Sequence, residues 1–390
     1  MKVLAIVPSF FGPTGDAVNE RQLLIELARK IERCYVITFV GFKQVFTKRR
    51  AELKIPLPKN MVLIPLPLPQ IPILLFYLPL IFSCLMSIIS LILDKLKKID
   101  LIYIRSSSLS MGFLTFDSLA RKTIVKIPAI IEDEISNDKG MKFFMEWSAS
   151  ILDRLALAKA RKIAVDSKLL YYEIVKRRCF THKDGPLEMP AGIDLRKIQN
   201  ILRNNKPPRK TNEPVIGFLG SLFWWQGVDI LVRSVALVRN RIPVRLLIIG
   251  DGPQRSTVEN LCRRLNVPYE ITGYLPHEKA LQRLIEADIL VIPSRRISTR
   301  ETKIPNKIVE AWSLGVPVIT TKHKVFEYFN IKEDQEAVFC EPTPNSVANA
   351  ILKVLENEVL RERLIKFGLQ KAKAFTYNEI SKRILSELLF

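Results

Sequence analysis

Short apolar runs alternate along this chain with longer segments whose apolar residues recur every three or four positions, and the alternation runs twice. Val3 to Val7 ends in a Gly/Pro-containing loop, Ser9 to Asp16. Asn19 to Ile31 then sets Leu23, Leu24, Leu27 and Ile31 at helical spacing before Tyr35 to Val40 turns strand-like. Strand, loop, helix, strand opens a doubly wound parallel sheet. The pattern continues through Leu101 to Ile104, Ile124 to Ile131, a helical region from Met141 to Lys159, and Ile163 to Val165. It breaks at 204–214 (NNKPPRKTNEP), a polar, basic, proline-rich stretch with nothing to bury. It restarts at Val215 to Leu219, and strands Arg245 to Ile249, Tyr269 to Thr272, Ile289 to Ile292 and Pro317 to Thr320 then alternate with helices. The sequence predicts an α/β protein of two tandem doubly wound, Rossmann-like domains, 1–203 and 215–374, joined by a linker at 204–214. At 390 residues the chain is too long for one ordinary core and fits two of about 150 to 200 residues. No self-similarity at a period of about 20 to 50 residues marks a solenoid or propeller. Tandem sheets of this kind set their carboxyl ends across a cleft, which suits a nucleotide on one side and an acceptor on the other.

Composition narrows the class of partner. Apolar residues make up 48% and charged residues 25%, a balance that excludes disordered, collagenous and disulfide-scaffold chains. The 60 Lys and Arg against 39 Asp and Glu leave a formal charge of +21, which draws the chain toward nucleic acid, acidic lipid or phosphorylated ligands. Aromatic residues are not interleaved with the basic ones as a single-strand stacking platform requires, so nucleic acid is the least favoured of the three. Five scattered cysteines without a CxxC pair offer neither a disulfide framework nor a zinc site and fit a reducing, cytoplasmic setting. The opening MKVLAIVPSF is too short in its apolar run for a secretory signal and reads as a buried first strand.

Residues 60–93 hold 34 positions without a charge, first proline-rich (Pro65, Pro67, Pro69, Pro72, Pro79) and then LIFSCLMSIISLIL. The last part, at about 20 residues, is long enough to span a bilayer. A single crossing, however, would leave strands of one sheet on opposite sides of the membrane. The expectation is therefore a hairpin or helix lying in the interface, with Lys43, Lys48, Arg49, Arg50, Lys95, Lys97 and Lys98 meeting anionic headgroups. A helix packed between the domains is the alternative. Phe143, Phe144, Met145 and Trp147 offer a second lipid contact or ordinary core.

The richest segment is 294–320, SRRISTRETKIPNKIVEAWSLGVPVIT, which runs from a strand end through a polar loop into a helix near Asn306. A helix start supplies backbone N–H groups and the positive end of a dipole, so a phosphate is well placed there. Lys307 would neutralise it, and Glu310, one turn in, would accept hydrogen bonds from two ribose hydroxyls, although a lone helical Glu is most often merely solvated. Upstream, GFLGSLFWWQGVDIL (217–231) closes a strand and loop on another helix, with Gly220 and Gly227 where a Cβ would intrude on a bound diphosphate. LLIIGDGP (246–253), ITGYLPHEKALQRLIEADILVIPS (271–294) and PNKIVEAWSLGVPVI (305–319) follow in that order. Together these segments resemble the nucleotide-sugar-binding half of glycosyltransferase family 4, retaining enzymes of the two-domain GT-B fold that need no metal ion. The first half is similar more faintly, through the loop after the first strand, KARKIAVDSK (159–168) and LEMPAGIDLRKI (187–198). The end, KAFTYNEISKRILSELL, looks like the family's terminal helix returning to the first domain, here 375–390.

The resemblance implies that Gly220 and Gly227 line the diphosphate loop and that backbone near Tyr274 and Leu275 meets the base. Glu310 would hold the ribose, Asn306 and Lys307 would sit against the phosphates or sugar, and Gly15 would offer its N–H to the phosphate from the other side of the cleft. Three departures stand out. Thr302 occupies the position of the family's Glu that holds the donor sugar, which leaves the adjacent Glu301 as candidate. Ser221 and Gln226 occupy the positions of the Arg and Lys that clamp the diphosphate, so the positive charge would come from Lys307, Lys303, Arg300 or Arg295. The family's acceptor-side His is missing from AIIEDEISND (129–138), where Glu132, Asp133 or Glu134 would stand in, unless that acidic cluster pairs with a neighbour such as Arg105. His277, following Pro276 at a helix start, reads as a capping or loop residue rather than a catalyst, and His182 and His323 read as exposed. The implied activity is retaining transfer of a hexose from a nucleotide diphosphate sugar to a hydroxyl of a lipid-linked or membrane-associated glycan. It would need no metal or other cofactor and would act at the cytoplasmic face of the membrane. A sugar-nucleotide epimerase on the same fold, a non-catalytic partner of a transferase and a basic nucleic-acid-binding protein are the alternatives.

Overall fold

The computed structural model describes residues 1–8, 10–11, 15–41, 57–68, 85, 87–88, 91–92, 95, 98–130, 139–180, 182–204, 213–296 and 301–389. The chain divides into two compact units, Met1–Pro190 with Ile380–Phe390, and Ala191–Glu379.

In the first unit, β1 (Lys2–Ile6), β2 (Arg33–Gly41), β3 (Met61–Leu68), β4 (Leu101–Ile104), β5 (Thr123–Lys126), β6 (Lys162–Val165) and β7 (Pro186–Glu188) form one sheet. Its order is β3-β2-β1-β4-β5-β6-β7 and every pairing is parallel. Leu4, Ile6, Ile102, Ile104 and Phe113 are buried together on this sheet, as expected where crossover helices cover a parallel sheet. The helix Gly15–Ala28 connects β1 to β2.

Two features depart from the sequence expectation. The apolar stretch 60–93 is not one interfacial segment, because Met61–Leu68 forms β3 and pairs with β2 from Cys34↔Met61 to Gly41↔Leu68. Pro65 and Pro67 are tolerated because β3 is the edge strand: two residues apart, both turn their missing N–H to the same side, away from β2. The expected strand 124–131 ends at Lys126. Farther along the apolar stretch, Leu85, Ile88 and Ile92 lie at helical spacing and are each about half exposed, while Ser87 is buried. On the helix Lys139–Lys159, Trp147 and Ile151 are one turn apart and also exposed. No helix among the described residues is long and apolar enough to cross a membrane.

β5 ends in a charge rather than an apolar side chain. The Lys126 ammonium, 2% exposed, lies 3.3 Å from Glu20 and 3.1 Å from Asp166, two carboxylates that are themselves buried. Arg105 pairs with the same Glu20 at 3.3 Å, and Tyr103 donates its phenol hydrogen to it. Burial and the Glu20 charge push the Tyr103 phenol well above its ordinary range. Among the described residues, Lys126 and Arg105 thus meet Glu20 and Asp166 at the carboxyl ends of β4, β5 and β6, where the low dielectric demands that no charge stand alone.

The second unit repeats the architecture with β8 (Val215–Leu219), β9 (Arg245–Ile249), β10 (Tyr269–Ile271), β11 (Ile289–Ile292), β12 (Val318–Thr321) and β13 (Val338–Cys340). The order is β10-β9-β8-β11-β12-β13, again all parallel, so the topology reverses between β8 and β11. Its core runs through Ile216, Phe218, Leu231, Val235, Ile248 and Val291, all 0% exposed. The expected linker at 204–214 lies mostly outside the described residues, but the units divide earlier, at Pro190. The helix Leu195–Asn204 buries Ile198 and Ile201 and packs on helices His277–Leu284 and Asn306–Leu314, which places it in the second unit. An isolated bridge between Ile193 and Thr376 holds its approach. The closing helix, Tyr377–Leu389, enters the first unit from Ile380 on, where Lys30 donates to the Ser381 hydroxyl.

Replacing Lys126 by Met should leave Glu20 and Asp166 buried without the ammonium they share and cost about 3–5 kcal/mol. Urea unfolding checks this, and an unchanged midpoint would show that the network contributes nothing.

Candidate functional site

The site grows from the strand ends at the point where the second sheet reverses. After β8 the chain turns at Gly220, whose N–H donates to the Ile249 carbonyl at 3.0 Å, and Leu222 N–H then donates to Asp251 O at 2.9 Å. The two loops are thereby zipped together. Their approach needs glycine at position 250, where φ is +147° and an added Cβ would stand 2.0 Å from Gly220 O. A short 3₁₀ turn, Trp224–Gln226, follows and ends at Gly227. There φ is +70° and a Cβ would lie 2.0 Å from Pro293 O, just beyond β11. The loops after β8, β9 and β11 thus touch through backbone.

Lys307, Gln226 and Gly220, three of the candidate residues named from sequence, come together on this platform. The Lys307 ammonium donates to Gln226 Oε1 at 3.1 Å, lies 4.7 Å above the Phe218 ring and sits directly beside Gly220. Lys307 belongs to the first turn of the helix Asn306–Leu314, which Pro305 precedes with no side-chain cap. Glu310, three residues on, shares its face. Ser221 is exposed, and Asn306 is half-buried at the helix start. Beside the platform, Phe223 and Trp225 stack at 4.5 Å while Trp224 stands 53% exposed.

Glu310 is buried, and one carboxylate oxygen lies 2.7 Å from His277 Nε2. His277 stands at a helix start, as expected after Pro276: it opens the helix His277–Leu284, whose N-cap is Pro276. The pair links this helix to the Glu310 helix and brings the neighbourhood of Tyr274, which is exposed, and Leu275, half-buried, toward Glu310. Sequence reasoning missed both this pair and the role of Gly250. The GDGP segment held a signal for the second, since two glycines one residue apart after a strand mark close backbone approach. Nothing local pairs residues 33 apart.

Other expected residues are used differently. Both oxygens of Glu301 are engaged, one by buried His323 Nδ1 at 3.1 Å and one by Lys324 N–H at 2.9 Å. Burial pushes its carboxyl up, but these hydrogen bonds hold it below the ordinary 4.5. Thr302 is buried. Arg295 braces the aromatic turn rather than standing open as a phosphate clamp. It makes two hydrogen bonds to Asp229, at 2.9 and 2.8 Å, and one to the Trp224 carbonyl. His182, also expected to be exposed, is buried with Nε2 2.8 Å from Ala160 O. Gly15 opens the first helix of the other unit. Glu132, Asp133, Glu134 and Arg300 lie outside the described residues, and Arg105 pairs with Glu20.

Residues 213–357 match the profile of the family described as Glycosyl transferases group 1. Over 207 residues the chain is 24% identical to phosphatidyl-myo-inositol mannosyltransferase of Mycobacterium tuberculosis, covering 51% of this chain and 52% of that protein. The chain spans between 37% and 57% of the length of the curated relatives it matches. Solved structures match over the whole chain. Sucrose-phosphate synthase from Thermosynechococcus elongatus aligns with a TM-score of 0.75 at 18% identity, covering 100% of this chain and 99% of that one. The Anabaena protein HepE in complex with UDP aligns at 0.72 and 16% identity, covering 100% of both. At such identities the likeness concerns the fold: two Rossmann-like domains of the GT-B type.

Burial pushes the Asp229 carboxyl up, but the Arg295 hydrogen bonds and charge, together with backbone N–H groups at Asp229 and Ile230, bring it below the ordinary 3.8. A carboxyl depressed on folding stabilises fully above its unfolded pKa, and that stabilisation is lost as pH falls through the folded value. Asp229→Asn should therefore cost about 1 kcal/mol near neutral pH, for a pair partly open to solvent. The gap from the parent protein should close below about pH 3.8. Urea titrations across that range check it, and a gap that did not change with pH would assign the loss to something other than this ion pair.

Proposed function

We propose that this protein is a glycosyltransferase that takes a nucleotide diphosphate sugar as donor. The observation that carries the reading is the placing of Lys307 and Glu310 on one face of one helix, with Lys307 reaching Gln226 and Gly220. A cation beside a glycine turn and an uncapped helix start is built for a diphosphate. A buried carboxylate one turn further is built to accept from ribose hydroxyls. The match of 213–357 to Glycosyl transferases group 1 supports the class, and the UDP-bound relative by fold supports the donor.

In this reading the bond between the anomeric carbon of a hexose and the leaving diphosphate oxygen breaks, and an acceptor oxygen bonds to that carbon on the same face, retaining configuration. Negative charge grows on the diphosphate, where Lys307 and the start of the helix Asn306–Leu314 are already aimed, so stabilisation requires no rearrangement. The acceptor hydroxyl passes its proton to the same diphosphate oxygen, so neither a strong base nor a metal ion is required. Lys307 takes the place of the clamp residues whose positions are held by Ser221 and Gln226.

The acceptor is a lipid-linked or membrane-associated glycan, reached by peripheral contact with an anionic membrane from the cytoplasmic side. The exposed rows Leu85, Ile88, Ile92 and Trp147, Ile151 support this, as does the charge of +21. A relative whose name places phosphatidyl-myo-inositol in its reaction supports the same class.

Calorimetry with UDP, GDP and ADP tests the donor site. One of them should bind, and Glu310→Ala and Lys307→Ala should each weaken it by about ten- to a hundredfold; silence from all three would sink the reading. Vesicles containing acidic lipid should sediment the protein at low salt, and the paired change Trp147→Ser with Ile151→Ser should reduce the pelleted fraction several-fold. Equal recovery on neutral and acidic vesicles would remove the membrane from the proposal.

A further inference from the structure

His277 joins the site from a direction that the donor reading does not require. Its Nε2 lies 2.7 Å from Glu310 Oε1, while its Nδ1 is buried with no hydrogen-bond partner among the described residues. A proton on Nδ1 would be a buried donor left unsatisfied, whereas a bare nitrogen there is the less costly state. The neutral ring therefore carries its hydrogen on Nε2 and donates it to Glu310. A carboxylate oxygen has two lone-pair directions, so one donor on Oε1 leaves the rest of the group free to accept. The donor also removes the freedom that a lone glutamate would have to rotate away from its target. The ring itself is held: it stands at the first position of the helix His277–Leu284, which packs on Leu195–Asn204, as does the Glu310 helix.

We infer that His277 is a positioning residue for the nucleoside, orienting the Glu310 carboxylate so that both neighbouring ribose hydroxyls can donate to it. The site thereby discriminates ribo- from deoxyribonucleotides. The inference rests on the donor reading above and adds to it a residue and a specificity. Discrimination follows because a carboxylate fixed by one partner cannot swing to find another when a hydroxyl is removed, so the missing hydrogen bond is felt in full.

The test uses the intact protein and calorimetry with UDP, GDP and ADP beside dUDP, dGDP and dADP. The parent protein should prefer the ribose form of whichever diphosphate binds by about tenfold. Glu310→Ala should lower that preference to near one. His277→Asn, whose amide is too short to reach Glu310, should lower it to the same level while leaving affinity for the deoxy form unchanged. His277→Gln, which can place an N–H near the position of Nε2, should restore it. A merely structural role for His277 would weaken both forms alike. Full discrimination in His277→Asn alongside its loss in Glu310→Ala would overturn the inference and leave the donor reading standing. Discrimination that survives Glu310→Ala, or no binding of any diphosphate by the parent protein, would overturn both.

Discussion

The loops that follow β8, β9 and β11 lie against one another at distances only backbone can occupy. A methyl group at Gly227 or Gly250 would stand 2.0 Å from a carbonyl oxygen of a neighbouring loop. This crowding makes the site. It holds the aromatic turn down on the end of β11, sets Gln226 where Lys307 can reach it, and leaves Gly220 open beside the ammonium. One of the two contacts, Gly227 against Pro293, joins the loops of β8 and β11, the pair between which the strand order reverses.

Positive charge enters this space from a helix rather than from the loop. Ser221 and Gln226, where the sequence resemblance leads one to expect a charged clamp, are both uncharged. Lys307 comes from the opposite wall, and its Nζ ends 3.1 Å from Gln226. Arg295, nearer in sequence to the strand end, is already committed to Asp229 and the aromatic turn. Charge count alone cannot separate these two cations; the partners each one holds do.

Much of this was legible in the chain before folding. The two sheets follow from the alternation of apolar runs, and glycine spacing and a helix start pick out Gly220, Gly227, Lys307 and Glu310 as candidates, which the structure places on the β8 loop and on one face of the helix Asn306–Leu314. What stayed hidden depends on contacts between distant residues. The pairing of His277 with Glu310 joins two helices whose separate sequences give no hint of meeting. The engagement of Glu301 by His323 and Lys324 needs a third loop to fold back. Met61–Leu68 misleads because its prolines argue against a strand unless the strand is known to lie at an edge, and edge position is a property of the sheet. Nothing in the sequence singles out Lys126 or Glu20, whose burial and pairing only the fold reveals.

The crossing of the closing helix into the first unit has a kinetic consequence. Residues from Ile380 on leave the ribosome after every strand of the second sheet, yet they belong to the unit that was started first. During synthesis the later sheet is able to close while the earlier one still waits for a missing wall around Lys30 and Ser381. The order of completion is then the reverse of the order of translation, and a nascent chain halted before Ile380 would display a finished carboxy-terminal body tethered to an unfinished amino-terminal one.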